Sequence, residues 1–206
     1  MSKISSINPL NVGWLSCALE PNEIDYVWKR VKEKEKSTDT MNHRLAGNIF
    51  TSKELEDPDD WFYNNVLVKC CYAYISLYGN LGEDIPISEK NLPYYMKEWW
   101  VNYQYQHEFN PLHDHNGVYS FVIWLNIPIE YDEQNEDNLA TSKLKSAFQF
   151  TYTDILGKLR SFTYYLNKSF EGHMLFFPSK LNHQVYPFYN CDDSRISVSG
   201  NILVKV

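Results

Sequence analysis

The sequence comprises 206 residues, of which 44% are hydrophobic, 16% aromatic and 22% charged, a composition that excludes a disordered chain. Its formal net charge of −7 argues against long nucleic acid as a ligand of the surface. The 4 cysteines lack a CxxC spacing, and no apolar run has the length of a signal core or a membrane span, so we expect a cytoplasmic protein without a membrane segment.

The N-terminal part, residues 1–95, is predicted to be mixed and largely helical. Residues 12–19 are predicted to form a strand. Residues 20–36 carry apolar side chains at helical spacing, namely Ile24, Val27, Trp28 and Val31. A second helix is predicted over residues 57–82, because aspartates stand at its start and glycines at its end.

From about Trp99 the sequence changes to short β-branched or aromatic segments separated by turn formers, which is typical of an antiparallel sandwich or barrel. The segments are residues 98–109, 115–128, 146–154, 160–167, 172–179 and 195–206. The acidic stretch 130–143 is predicted to be a surface loop that could act as a lid. We expect one domain over residues 1–206, in which residues 96–206 form the β core that carries the site.

Two histidines precede an apolar strand in NPLHDHNGVYSFVIWLNIP, residues 110–128. Residues i and i+2 of an extended segment share a face, so His113 and His115 can point into one cavity. A third, His183, follows another apolar strand in EGHMLFFPSKLNHQVYPF. Imidazole and carboxylate suit Fe(II) and similar ions, and three protein ligands leave open positions for chemistry. These residues therefore predict a metal centre.

The last predicted strand carries a candidate anion clamp in RISVSGN, where Arg195 and Ser197 share one face. A guanidinium beside a hydroxyl on the inner wall of a barrel can hold a carboxylate, because its planar fork donates two parallel hydrogen bonds. The alternative is a surface salt bridge between Arg195 and Asp192 or Asp193 in the preceding turn.

Three motifs together resemble a known family: NPxHxHxGxxS before an apolar strand, GxxLxFPSxLxH, and RxSxSxN. The pattern is similar to the iron(II)/2-oxoglutarate oxygenases of marine bacteria and their tailed phages, within the double-stranded β-helix superfamily. The resemblance covers about residues 96–203, and LAGNI at residues 45–49 adds a weaker match. It implies a mainly β fold with flanking α, in which N-terminal helices pack on a double-stranded β-helix (jelly-roll, cupin-like) core.

The resemblance also implies roles for the candidate residues. His113 and His183 would be two histidine ligands of Fe(II). Arg195 would bind the distal carboxylate of the cosubstrate 2-oxoglutarate, assisted by Ser197. The family's reaction consumes dioxygen and 2-oxoglutarate, releases succinate and CO2, and hydroxylates a substrate.

The middle ligand is where this chain departs from the family, which usually shows HxD or HxE. Here the motif reads His113, Asp114, His115. Strand alternation favours His115 as the middle ligand and a three-histidine site. Ligand chemistry favours Asp114, which would need a bulge or turn to point inward. Both alternatives stay open at the level of sequence.

An aromatic cavity is expected around the metal, with polar contacts to the ligands from neighbouring strands. The expected aromatic residues are Tyr103, Tyr105, Trp124 and Phe176, and the expected polar ones are Asn126 and Asn201. Such a cavity could stack a free planar base such as a pyrimidine, or a prolyl ring of a small molecule or peptide.

Two other functions compete with the oxygenase. One is a cupin-like three-histidine dioxygenase or isomerase that uses no keto acid, for which Arg195 would matter little. The other is a non-catalytic ligand-binding barrel. An exposed sheet edge could in addition pair two copies into a homodimer.

Overall fold

A computed structural model describes residues 4–7, 11–81 and 94–204. Its larger antiparallel sheet has the strand order β1-β8-β5-β10-β3-β2. These strands are β1 (Leu15–Ala18), β2 (Thr51–Glu54), β3 (Tyr94–Gln104), β5 (Tyr119–Asn126), β8 (His173–Pro178) and β10 (Arg195–Val204).

The smaller sheet has the order β4-β9-β6-β7 and is also antiparallel. Its strands are β4 (Asn110–His113), β6 (Phe148–Thr153), β7 (Leu159–Tyr164) and β9 (Asn182–Val185). Together the two sheets form the predicted double-stranded β-helix. The short strands β4 and β9 were not predicted, and β1 and β2 extend the sheet into the N-terminal part of the chain.

Two helices cover the outer face of the larger sheet. They are α1 (Pro21–Lys34) and α2 (Val68–Tyr78), and their apolar residues share one buried cluster with β3, β5, β8 and β10. The Asp57 carboxylate accepts hydrogen bonds from the backbone N–H groups of Phe62 and Tyr63, which satisfies the first turn before α2. Gly79, at φ 86°, ends α2 as predicted, whereas Gly82 lies outside the described residues.

Strand β3 separates the two interiors of the molecule because alternate side chains of a strand point to opposite faces. Trp99 and Val101 pack in the cluster under the helices. Trp100, Asn102 and Gln104 point the other way, into the space between the sheets. The site therefore lies between the sheets, on the face of β3 away from the helices.

The predicted loop 130–143 contains a short helix, α3 (Tyr131–Asn135), so the loop prediction was only partly correct. Asn135 is buried and donates hydrogen bonds to the carbonyls of Tyr131 and Lys145. No residue of this segment lines the cavity between the sheets. Within the described ranges, no helix combines the length and apolarity needed to cross a membrane.

Candidate metal centre

Three histidines meet at one end of the space between the sheets. The pairing of β4 with β9 places His113 directly opposite His183. His115 follows β4, where its backbone N–H donates to the carbonyl of Ser179. One ring nitrogen from each of the three histidines lies within 4.8 Å of the other two. The histidines that the sequence singled out are thus brought together by the fold.

Hydrogen bonds fix the orientation of two of these rings. The Nδ1 of His113 lies 2.7 Å from the carbonyl oxygen of Pro111, and the Nδ1 of His183 lies 2.9 Å from that of Leu181. A carbonyl only accepts, so each Nδ1 carries the proton and donates. Each Nε2 is then an unprotonated donor atom for a metal ion, in the arrangement usual for histidine ligands.

Burial keeps the three imidazoles neutral. Desolvation lowers the pKa of His115 and of His183 to about 3, with a smaller contribution from the neighbouring histidines. Desolvation also lowers the pKa of His113, opposed by its hydrogen bond to Pro111. A metal ion binds the neutral form of imidazole, so near neutral pH no proton needs to be removed before binding.

Asp114 points away from this cluster. Its carboxylate lies 3.4 Å from the ammonium of Lys180, and both side chains are substantially exposed. The register irregularity in the pairing of β4 with β9 lies before His113, and Asp114 follows the end of the strand with its carboxylate directed to Lys180. Of the two candidates for the middle ligand, the geometry brings His115 to His113 and His183.

Arg195 is fully buried and is held without a carboxylate partner. Its Nε and Nη2 donate to the side-chain oxygen of Gln104 at 3.1 and 2.7 Å, and Nη1 donates to the carbonyl of Ser146 at 2.7 Å. Neither Asp192 nor Asp193 forms an ion pair with it among the described residues, so the surface salt-bridge alternative was wrong. Desolvation lowers the pKa of Arg195 to about 9, because no counter-charge offsets its burial.

One cavity joins the guanidinium to the histidines. Its lining includes the three histidines, Arg195, Ser197, Ser199, Asn102 and Asn110. A buried cation without a counter-ion is costly, and an anionic ligand would remove that cost. The cavity therefore offers ring nitrogens for a metal ion at one end and a guanidinium for a carboxylate at the other. The chemistry of these residues fits iron(II) and a carboxylate ligand such as 2-oxoglutarate.

Several predicted cavity residues lie elsewhere. Tyr103 belongs to the helix-covered face of β3, and Tyr105 is 44% exposed beyond the end of that strand. Asn126 donates to the carbonyl of Ser194, and Phe176 is buried under the helices. These four predictions were wrong because each residue falls on the other face of its strand or beyond the cavity.

Trp124 lines the cavity as predicted, and the cavity also has lining residues that were not predicted from the sequence. Gln104 orients Arg195, and Trp100 lies with its ring centroid 5.9 Å from that of His115. Alternation along β3 from Trp100 through Asn102 to Gln104 is the signal that could have identified them. Asn201 accepts a hydrogen bond from Ser120 and borders a second pocket beside the histidines.

A double-stranded β-helix with a metal-binding histidine cluster and a buried arginine in one cavity defines the class of iron(II)- and 2-oxoglutarate-dependent oxygenases. Residues 98–201, more than half of the chain, match the family model described as "Putative 2OG-Fe(II) oxygenase". The chain belongs to this family, and it is an oxygenase that uses Fe(II), 2-oxoglutarate and dioxygen. A search of curated proteins found no match.

Solved structures share the fold at low sequence identity. A prolyl-4-hydroxylase from Pseudomonas putida is 13% identical with a TM-score of 0.54, and the match covers 95% of this chain and 94% of that one. A prolyl hydroxylase from Trichoplax adhaerens, in complex with a hypoxia inducible factor peptide fragment, is 14% identical with a TM-score of 0.53, covering 93% and 83%. The α-ketoglutarate-dependent epimerase SnoN from nogalamycin biosynthesis is 11% identical with a TM-score of 0.56, covering 93% and 78%.

Proposed function

We propose that this oxygenase hydroxylates a small molecule at a three-histidine iron site formed by His113, His115 and His183, with Arg195 as the anchor of 2-oxoglutarate. One observation carries the proposal: the histidine cluster and a buried guanidinium without a counter-ion line the same cavity. Asp114 is left out because its carboxylate is paired with Lys180 at the surface.

The bound iron and 2-oxoglutarate would supply the oxidative chemistry, in which dioxygen and the keto acid give succinate, CO2 and a hydroxylated substrate. His113 and His183 would hold the ion through Nε2, because their Nδ1 atoms are committed to backbone carbonyls, and His115 would contribute one of its ring nitrogens. The substrate and dioxygen would use the coordination space that the protein leaves open.

Arg195 would bind the far carboxylate of 2-oxoglutarate and fix the direction in which the keto acid approaches the metal. The two bonds to the Gln104 side chain hold the guanidinium plane in place before the ligand arrives, which lowers the entropic cost of binding. The Ser197 hydroxyl lines the same cavity and would donate a further hydrogen bond to that carboxylate. Trp124 and Phe148 form apolar walls that keep water away from the reacting atoms.

The substrate class is inferred from the walls near the histidines. Trp100 offers a flat ring close to His115, against which a pyrimidine or a prolyl-type ring could pack. Two structures that share the fold are described as prolyl hydroxylases, one of them in complex with a peptide fragment, which supports a prolyl-type ring. The formal net charge of −7 argues against long nucleic acid as the substrate.

The experiment that tests the site is anaerobic addition of Fe(II) and 2-oxoglutarate to the folded protein. A keto acid chelated to iron in this site should give a weak visible charge-transfer band, and the protein should retain roughly one equivalent of iron. His183→Ala should lose both, whereas His43→Ala, at an exposed position outside the cluster, should keep both. If the band is absent from folded wild-type protein, the proposed site is wrong.

A further inference from the structure

A second pocket, here called the outer pocket, lies beside the cavity that contains Arg195. It has a volume of about 220 Å3 and shares His113, His115, Trp100, Leu45 and Ala46 with that cavity. His183 and Arg195 line only the inner cavity. The proposed iron site is thus reached from two compartments, of which only the inner one contains the buried guanidinium.

The outer pocket contains ionic side chains at its rim. Arg44 pairs with Glu98, and Asp114 pairs with Lys180. Both carboxylates of the lining therefore already have a cationic partner. Lys97 also lines the pocket, is exposed, and forms no ion pair with any residue that the structure describes. Of the charged side chains that line this pocket, Lys97 is therefore the one without an ion-pair partner among the described residues.

The backbone places Lys97 in this pocket through a β-bulge. In the pairing of β3 with β10, Glu98 lies opposite Asn201 and Met96 lies opposite Ile202, so Lys97 has no opposite residue. With regular alternation, Lys97 would share the face of Trp99 and point into the apolar cluster under the helices.

Because Lys97 is an extra residue in β3, the regular alternation of side chains between the two faces of the strand is interrupted there. Met96 packs against the helix-covered cluster, and so does Trp99, although three positions separate them. Lys97 and Glu98 both line the outer pocket instead. Bulges are common beside active sites, where they re-aim a side chain. The bulge therefore has a direct consequence for the site, since it places Lys97 in the lining of the pocket that borders His113 and His115.

We propose that the outer pocket binds the substrate and that Lys97 recognises a carboxylate on it, so that the substrate is a small carboxylic acid whose ring packs against Trp100. This inference rests on the proposed function, since the same histidines would hold the iron. An ammonium at the edge of a half-sheltered pocket forms a charge-assisted hydrogen bond with a carboxylate, which is stronger than one with a neutral amide. A residue within a blocked peptide has no such carboxylate to offer.

The test uses the full chain loaded with Fe(II) and compares acids with neutral partners of the same shape. The pairs are N-acetyl-L-proline with N-acetyl-L-prolinamide and orotate with orotamide, and a prolyl tripeptide blocked at both ends is added separately. Succinate formation and the melting temperature are measured for each compound. At least one acid should stimulate succinate formation or raise the melting temperature, and its neutral partner should do so at a concentration about tenfold higher.

Variants of Lys97 assign the effect to the ammonium. Lys97→Met should raise the KM or Kd for the acid about tenfold and leave that for the neutral partner unchanged, and Lys97→Arg should restore most of the affinity. Lys168→Met, at an exposed position outside both pockets, is the matched control. Lys168→Met should leave both the affinity for the acid and the slow succinate formation without substrate unchanged.

Three outcomes overturn the proposal: equal responses to acid and neutral partner, a response to the blocked peptide alone, or no response to any compound. Lys97→Met with an unchanged preference for the acid also overturns the assignment to Lys97. These failures leave the substrate-free conversion of 2-oxoglutarate intact. Loss of that conversion in the wild-type protein would instead contradict the proposed iron and 2-oxoglutarate site.

Discussion

The two faces of β3 serve different purposes although they belong to the same strand. On the helix-covered face, Trp99 and Val101 are almost fully buried among aromatic and aliphatic side chains. On the cavity face, Asn102 and Gln104 are equally inaccessible to solvent, yet they are polar. The side-chain oxygen of Gln104 accepts hydrogen bonds from Arg195, and that of Asn102 accepts one from Ser52.

The difference indicates that the helix-covered face contributes to stability and that the cavity face contributes to ligand binding. Burial of apolar area on the helix-covered face lowers the free energy of the folded state. Burial of Arg195 without a carboxylate on the other face raises it, and ligand binding would recover that cost. The helix-covered face should therefore control folding, and the cavity face should control ligand affinity.

The largest effect on stability is expected from Phe62, which stacks on Trp99 with ring centroids 5.4 Å apart and is fully buried. Phe62→Ala should lower the free energy of unfolding by about 4 kcal/mol, because it leaves a cavity in the helix-covered cluster. Chemical denaturation measures the change. Phe50→Ala, where the side chain is 84% exposed, should change it by less than about 0.5 kcal/mol. Equal effects of the two variants would contradict the assignment of the folding core.

Arg195→Met should reduce the affinity for 2-oxoglutarate strongly and the free energy of unfolding little, in contrast to Phe62→Ala. We expect the KM for 2-oxoglutarate to rise roughly 100-fold, because a buried partner of the ligand carboxylate is lost. The free energy of unfolding should fall by no more than about 1 kcal/mol or should increase, because an unpaired buried charge is removed.

Arg160→Met is the control for this variant, because Arg160 is a half-exposed arginine paired with Asp154 and lies outside the cavity. An unchanged KM for 2-oxoglutarate in Arg195→Met would contradict the assignment of Arg195 as the anchor of that ligand.

The buried imidazoles of the cavity should make the stability of the protein depend on pH. In the folded protein the pKa of His115 and of His183 is about 3, against an ordinary value of 6.5. The unfolded state therefore binds more protons between these values, and stability is lost as the pH falls from about 6.5 towards 3.

The melting temperature of metal-free protein should drop by at least about 5 °C between pH 7 and pH 5. His183→Gln should make the dependence shallower, because it removes one of the buried imidazoles. A melting temperature that stays constant over this range would show that the imidazoles are not buried as neutral groups.

The smallest effect is expected at Asp114. Asp114→Asn removes only a partly exposed ion pair with Lys180, so the free energy of unfolding should change by less than about 1 kcal/mol. Iron content measured by atomic absorption should stay near one equivalent, whereas His115→Ala should lower it strongly. The opposite pattern would make Asp114 the middle ligand.

Local patterns were enough to predict much of the β core. Six of the strands overlap the segments that aromatic and β-branched residues indicated, and the helix before Gly79 was anticipated from its aspartates and glycines. The pairs His113 with His115 and Arg195 with Ser197 each share a face because side chains of a strand alternate, which is a property of the local backbone.

Other features depend on contacts between distant parts of the chain. Strands β4 and β9 are only four residues long and lack a clear pattern, and their pairing is what brings His113 opposite His183. The misplacement of Tyr103 has a similar origin, because the sequence does not say which face of β3 the helices cover. The bulge at Lys97 appears only in the register of β3 against β10.

By itself, the sequence determined the residue types of the candidate site and the strand periodicity that orients each of them locally, because both follow from composition and backbone geometry. The tertiary structure brought His115, and not Asp114, to the other two histidines, paired Arg195 with Gln104 instead of an aspartate, and turned Lys97 towards the outer pocket. Each of these depends on which surface of one strand another element buries, and that is fixed only when the whole core packs.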